Sequence, residues 1–240
     1  MTGAIGTLNE KPLHAALKAW YAGPDDQVEV PIDGFVIDVL RDDLLIEIQT
    51  GGFANIKRKL LDLVERHPLR LVYPIPREKW LVKLDLDQDR VTSRRKSPKR
   101  GSEVDLFTEL VSFPALMARS NFALEILLTQ EEEIWRYDGR RGWRRRGWVV
   151  HERRLLQVVD RHQYQTPSDL MGLLPGGLQQ PFTTADLATA LSRPRRVAQK
   201  MAYCLRKMGA LHQVGQKGRA KLYQTPDGGE KWQANQPNKP

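Results

Sequence analysis

Apolar and polar positions are patterned most tightly over residues 36–49, VIDVLRDDLLIEIQ, which predicts two short strands joined by the turn pair Asp42-Asp43. Counting outward from that turn, Arg41 faces Leu44, Leu40 faces Leu45 and Val39 faces Ile46, so Asp38 falls opposite Glu47. Strand alternation adds Gln49 to the Glu47 face and turns Leu44, Ile46 and Ile48 toward a core. Upstream, Asn9 is placed to cap a helix that starts at Glu10, with Leu13, Ala16, Leu17 and Trp20 on its buried face. Residues 28–33 open the sheet, and Pro31 assigns them an edge or a bulge. Residues 53–67 repeat with helical period and are expected to pack on the sheet; 69–75 and 80–84 read as two strands, 104–117 as an amphipathic helix and 122–129 as a strand.

Beyond residue 163 the rhythm changes. Helices are predicted over 166–173, 183–191 with Thr183 or Thr184 as cap, and 195–208 after the turn Ser192-Arg193-Pro194; residues 214–223 make a hairpin around Lys217-Gly218. The expected organisation is therefore α/β, with a first domain over 1–130, a basic aromatic connection over 131–163, a helical domain over 164–227 and a polar tail over 228–240.

Composition narrows the partners. The chain has 240 residues and a net charge of +9 with 38 Lys and Arg, which favours polyanions. A single cysteine, Cys204, excludes an internal disulfide and a multi-cysteine metal site. The start lacks a signal-peptide layout and no apolar run reaches the roughly 20 residues that span a bilayer, so the expectation is a soluble cytoplasmic protein without a membrane partner. A homodimer is compatible with the sequence.

The candidate chemistry lies in the hairpin. Directly opposed carboxylates about 5 Å apart at Cβ repel each other and lose hydration, and a bound divalent cation removes both objections. Hard oxygen ligands of this kind suit Mg²⁺ or Mn²⁺. Asp38, followed nine positions later by Glu47-Ile48-Gln49, resembles the Asp…(Asp/Glu)-x-Lys signature of the PD-(D/E)XK nuclease superfamily, with Gln49 in the lysine's place. The resemblance covers about the first 85 residues, whose predicted elements follow the αβββαβ order of the restriction endonuclease-like core. It implies a metal-dependent DNA endonuclease in which Asp38, Glu47 and the Ile48 carbonyl hold the metal and Gln49 orients water. Glu10 is then a third carboxylate, or an acid favoured by a helix N-terminus. Lys57 or Lys59 would replace the missing cation, or simply lie on a solvated helix face.

Nucleic-acid contacts are expected from three places. Residues 90–100 carry six basic residues, Arg94, Arg95 and Lys96 among them, and read as a basic loop. Trp135, Tyr137, Trp143 and Trp148 alternate with arginines that include Arg144 and Arg145, and Asp138-Gly139 signals a hairpin; stacking on bases and ordinary packing both explain the aromatics. Residues 182–223 resemble winged helix-turn-helix domains. That resemblance implies duplex DNA contacts from Arg195, Arg196, Gln199 and Lys200 on the third helix and from Arg219 and Lys221 on the wing. RNA is the lesser alternative, and a non-catalytic DNA-binding regulator on a retained nuclease scaffold is the rival function.

Overall fold

The computed structural model describes residues 10–85, 90–139 and 145–226. Strands β1 (Gln27–Ile32) and β2 (Phe35–Arg41) face across Asp33-Gly34, both at positive φ, as a right-twisted two-residue hairpin requires. β2 then pairs antiparallel with β3 (Leu44–Ile48) through Arg41↔Leu44, Leu40↔Leu45 and Val39↔Ile46, the register that the Asp42-Asp43 turn predicts. β3 lies parallel to β4 (Leu69–Leu84), after a 3-10 turn over Phe53–Ile56 and helix α2 (Lys57–Leu63). With β5 (Val91–Lys96), β6 (Phe122–Tyr137) and β7 (Trp148–Tyr164), these strands form one mixed sheet in the order β1-β2-β3-β4-β6-β7, with β5 beside β4. Pro31 lies in the outermost strand, where its missing N–H removes no ladder bond.

Two strands were expected where β4 runs unbroken for 16 residues through Pro74 and Pro76. Backbone groups alternate edges residue by residue, so both prolines share the edge of Val72, whose carbonyl accepts Gln49 N–H at 2.9 Å. β3 ends at Ile48, so its ladder with β4 does not call on the N–H groups that the prolines lack. Within the expected basic loop over 90–100, residues 91–96 form a strand for a tertiary reason. β5 is exposed along its length, but Arg94 reaches Glu132 at 2.8 Å, Lys96 reaches Glu78 at 2.8 Å, and both cations lie over Trp80.

Helix α1 (Pro12–Tyr21) covers the hairpin by burying Leu13, Leu17 and Tyr21 against Val39, Ile46, Ile48, Val72 and Leu127. It starts later than expected: Lys11 is at the N-cap without a side-chain bond and Glu10 precedes the helix, while Asn9 lies outside the described residues. The apolar series steps in fours to Tyr21, which leaves Trp20 45% exposed rather than buried.

The chain divides into two compact units built from interleaved segments. One comprises the residues up to Gly51, His67–Ser102 and Glu125–His162; the other comprises Gly52–Arg66, Glu103–Leu124 and the chain from Gln163. The helical segment after Gly52, expected on the sheet, therefore belongs to the second unit, where Phe53 stacks on Phe113 with centroids 5.2 Å apart. Residues 104–117 form short turns around α3 (Phe107–Leu110) instead of one helix, because Pro114 starts a separate 3-10 turn. Capping boxes Thr166/Asp169 and Thr183/Asp186 start α4 (Pro167–Met171) and α5 (Thr184–Ala190). α6 (Arg195–Lys207) buries Val197, Ala198, Met201, Ala202, Cys204 and Leu205. A hairpin of β8 (His212–Lys217) and β9 (Ala220–Gln224) follows, and Tyr223 on it bridges to Phe182. Among the described residues, no helix is long and apolar enough to cross a membrane.

Candidate functional site

The β2/β3 ladder stops at Val39↔Ile46, one pair before Asp38 would face Glu47. Leu45 donates its N–H to the carbonyl of Pro68, just before β4, and Gln49 donates to Val72 within it, so Ile48, an odd step from each, directs its own toward β2. No ladder partner meets it there; instead the Asp38 carboxylate accepts the Ile48 N–H at 2.7 Å. The opening of the hairpin thus ties the Asp38 side chain to the backbone of the Glu47-Ile48-Gln49 segment.

Asp38 Oδ2 also lies 3.2 Å from His14 Nε2, and the other ring nitrogen of His14 lies 2.5 Å from Glu10. Lys18, one turn further along α1, reaches Glu10 at 2.8 Å and Glu29 at 2.6 Å. Glu29 adopts φ 55 in the middle of β1, a left-handed conformation unusual for a strand residue. Three carboxylates, Glu10, Glu29 and Asp38, are therefore linked in a chain by the two cations of α1. The hydrogen bond to Asp38 raises the His14 pKa against the opposing effect of burial, and Glu10 adds to the rise, which takes it to about 9. Burial pushes Glu10 up, but hydrogen bonds from Lys18 and His14 outweigh it and leave its carboxyl below the ordinary value.

Glu47 is buried, 6% exposed, and alternates with Ile46 and Ile48 of the core under α1. Gln49 is half-buried. Among the described residues, no group of three or more His, Cys, Asp or Glu is arranged to hold a metal ion. The alternation pattern flagged Asp38, Glu47 and Gln49, and the family resemblance added Glu10, but both missed His14 and Lys18. Their signal was the spacing of four between His14 and Lys18, which puts the two one turn apart on one side of α1, within reach of Glu10 just before it. Also missed was Glu131, 1% exposed, which accepts the Thr129 hydroxyl at 2.6 Å and Arg153 Nε at 2.9 Å. Arg153 in turn donates to the Thr50 carbonyl at 3.1 Å, just beyond Gln49.

The basic residues divide into held and open. Lys57 is exposed on α2 in the second unit. On α6, Arg195, Arg196 and Gln199 are exposed with Tyr203 and Arg206, forming a stripe along the helix; Arg219 and Lys221 are exposed on the β8/β9 hairpin. Lys200 departs from the expectation: it is half-buried and its ammonium donates to the Thr108 carbonyl at 2.9 Å. In the first unit, Arg94 and Lys96 are paired with carboxylates, whereas Arg95 points to the other face of β5. Arg145 lies over the Trp135 ring at 4.6 Å, and Arg144 is outside the described residues. The turn signalled at Asp138-Gly139 closes wider than two residues, with Asp138 N–H bonded to the Gly147 carbonyl at 2.8 Å.

A pH prediction follows from the folded pKa of His14, which lies above its unfolded value of about 6.5. Its stabilising contribution, roughly 3 kcal/mol at most, is complete below the unfolded value and is lost as pH rises through about 9. Urea midpoints measured in chelator from pH 6 to about 10 should fall across that window, and His14→Gln should flatten the fall. An unchanged slope in the variant would mean that the imidazolium does not bridge Glu10 and Asp38.

The family described as "Domain of unknown function (DUF8091)" matches residues 11–165. The chain is similar to an "Uncharacterized protein" of Treponema pallidum (strain Nichols), 30% identical over 229 residues that cover 94% of this chain and 89% of that protein. No solved structure matches the chain.

Proposed function

The chain belongs to the DUF8091 family, and on that premise we propose that it is a metal-dependent endonuclease acting on double-stranded DNA. The observation that carries this reading is the opened β2/β3 hairpin, where Asp38 meets the backbone of the Glu47-Ile48-Gln49 segment and Glu10 is drawn in through His14. The order α1-β1-β2-β3-α2-β4, as observed, supports the same reading. Asp38, Glu47 and the Ile48 carbonyl would hold Mg²⁺ or Mn²⁺, and these hard oxygen donors suit either ion. Ile48 directs its carbonyl to the same edge as its N–H, toward Asp38. The His14 imidazolium between Glu10 and Asp38 already occupies a cation's place, so a divalent ion would bind by displacing its contact with Asp38. When bound, such a metal lowers the pKa of a water and offsets charge on the scissile phosphate.

The chain's own residues do the rest. The backbone of Gln49 is pinned to Val72, which fixes its side chain at the end of β3, where the amide can orient a water by hydrogen bonding. It carries no positive charge, so phosphate charge is met by other groups. In the second unit, the order α4, Phe182–Tyr223 bridge, α5, α6, β8-β9 supports a winged helix, and the exposed stripe of α6 with Arg219 and Lys221 supplies phosphate contacts.

A non-catalytic DNA-binding regulator is the second reading, favoured by the two N–H donors that meet Asp38 Oδ2 and by Gln49 in the lysine's position. Purified protein with supercoiled, linear and single-stranded DNA, and with RNA, should cleave duplex DNA under Mg²⁺ or Mn²⁺ and cleave nothing with chelator. Bound but intact duplex under both metals would establish the second reading. Replacing Arg195, Arg196 and Arg219 by Ala should weaken duplex binding and lower the salt slope by about 3. An unchanged slope would assign the second unit to a protein partner.

A further inference from the structure

We propose that the cleft between β4, β5 and the β6/β7 hairpin binds one unstacked nucleobase with its phosphate, so that the protein recognises DNA carrying an unpaired nucleotide. This rests on the reading that the chain engages DNA and is independent of the cleavage chemistry.

Antiparallel pairing of β4 with β5 sets Leu81 opposite Arg95 and Lys83 opposite Ser93, which puts all four on one face. Trp135, Trp148 and Arg145 complete a cavity of about 170 Å³. That is well below the size of a drug-sized pocket and suits a single planar group. Among the described residues, no carboxylate lines it.

Alternation along β5 sorts its cations. Arg94 and Lys96 face Glu132 and Glu78 on one side, while Arg95 faces the cavity. Among the described residues, Lys83, Arg95 and Arg145 have no ion-pair partner. Aromatic faces hold two of them instead: Lys83 Nζ lies 4.3 Å from the Trp148 centroid and Arg145 4.6 Å from that of Trp135. A phosphate competes for these cations, and withdrawing them uncovers two indole faces for a base. Trp135 Nε1 is buried without a hydrogen-bond partner among the described residues, a donor left for an acceptor on the ligand. The wall is braced as well. Tyr137 meets Trp148 edge-on at 5.9 Å, and a Cβ at Gly147 would lie 2.5 Å from the Tyr137 ring, so only glycine admits this packing.

The test uses the full chain in chelator, with fluorescence anisotropy on three duplexes: blunt, with a short thymidine overhang, and with the same overhang made abasic. The overhang should bind about tenfold tighter than the blunt or abasic forms and should quench tryptophan emission. Arg95→Gln and Trp148→Ala should each bring the ratio of overhang to blunt affinity down to about one, whatever either does to affinity as a whole; Arg95→Gln guards against a folding defect at Trp148. Equal affinity for the three duplexes, a preference that survives both variants, or equal competition by an acidic peptide would overturn the proposal. Cleavage under metal without overhang preference would remove the pocket and keep the nuclease. Preference without cleavage would do the reverse.

Discussion

On the proposed nuclease reading, Glu47→Gln should abolish metal-dependent cleavage while leaving duplex affinity nearly intact. The substitution keeps the side chain's shape in its buried position and removes the charge that a cation needs. Affinity should be unaffected because the same reading draws it from exposed Lys and Arg elsewhere, on α6 and the β8/β9 hairpin. Glu47→Ala should behave in the same way, and loss of binding together with cleavage would indicate misfolding. Gln49→Lys should move activity in the opposite direction. It places a cation at the end of β3 beside the opened hairpin, where stabilising developing charge is commonly worth a few kcal/mol, on the order of a hundredfold in rate. Single-turnover cleavage under Mn²⁺ reads both effects. If wild type and Gln49→Lys leave every DNA form intact while still binding duplex, the nuclease reading gives way to the DNA-binding regulator.

Glu125→Ala should destabilise the first unit by roughly 3–5 kcal/mol, the range found when one member of a buried charge pair is removed. Glu125 is fully buried and accepts the Tyr21 hydroxyl at 2.6 Å, with Arg70 Nη1 at 3.5 Å. Arg70 also donates to the Tyr21 hydroxyl at 3.0 Å, so the alanine variant leaves a half-buried guanidinium facing a phenol. Arg161 Nε stands 3.3 Å from the other carboxylate oxygen, but its side chain is exposed and water replaces that contact readily. Glu125→Gln keeps an acceptor for Tyr21 and should lose less. Urea unfolding followed by circular dichroism measures both variants, and a loss below about 1 kcal/mol for Glu125→Ala would show that the triad of Tyr21, Arg70 and Glu125 does not hold α1 to the sheet.

Local order decided a good deal. Two-residue turns fix a register once their flanking strands alternate, so Arg41↔Leu44 through Val39↔Ile46 followed from the Asp42-Asp43 pair alone. Thr183, the start of α6 at Arg195 and the hairpin after Met208 were likewise set by caps and turn residues within a few positions. Long-range contacts decided the rest. β5 has no buried residue to announce it and exists because Glu78, Glu132 and Trp80 meet its cations. Pro74 and Pro76 read as strand breakers until it is known that β3 ends before reaching them.

The candidate site divides along the same line. Alternation gave Asp38 and Glu47 their positions on adjacent strands, since side-chain direction in a strand has period two. Whether the ladder continued to join them was not a local matter. It stops one pair early, Asp38 takes the Ile48 N–H instead, and His14 and Lys18 of α1 bring Glu10 and Glu29 into one charge network. The same holds for the cavity at Trp135 and Trp148. Its arginines were visible as a run, but only the pairing of β4 with β5 separated the cations matched by carboxylates from those left to the aromatic rings, because a strand's two faces are distinguished by its neighbours and not by its own residues.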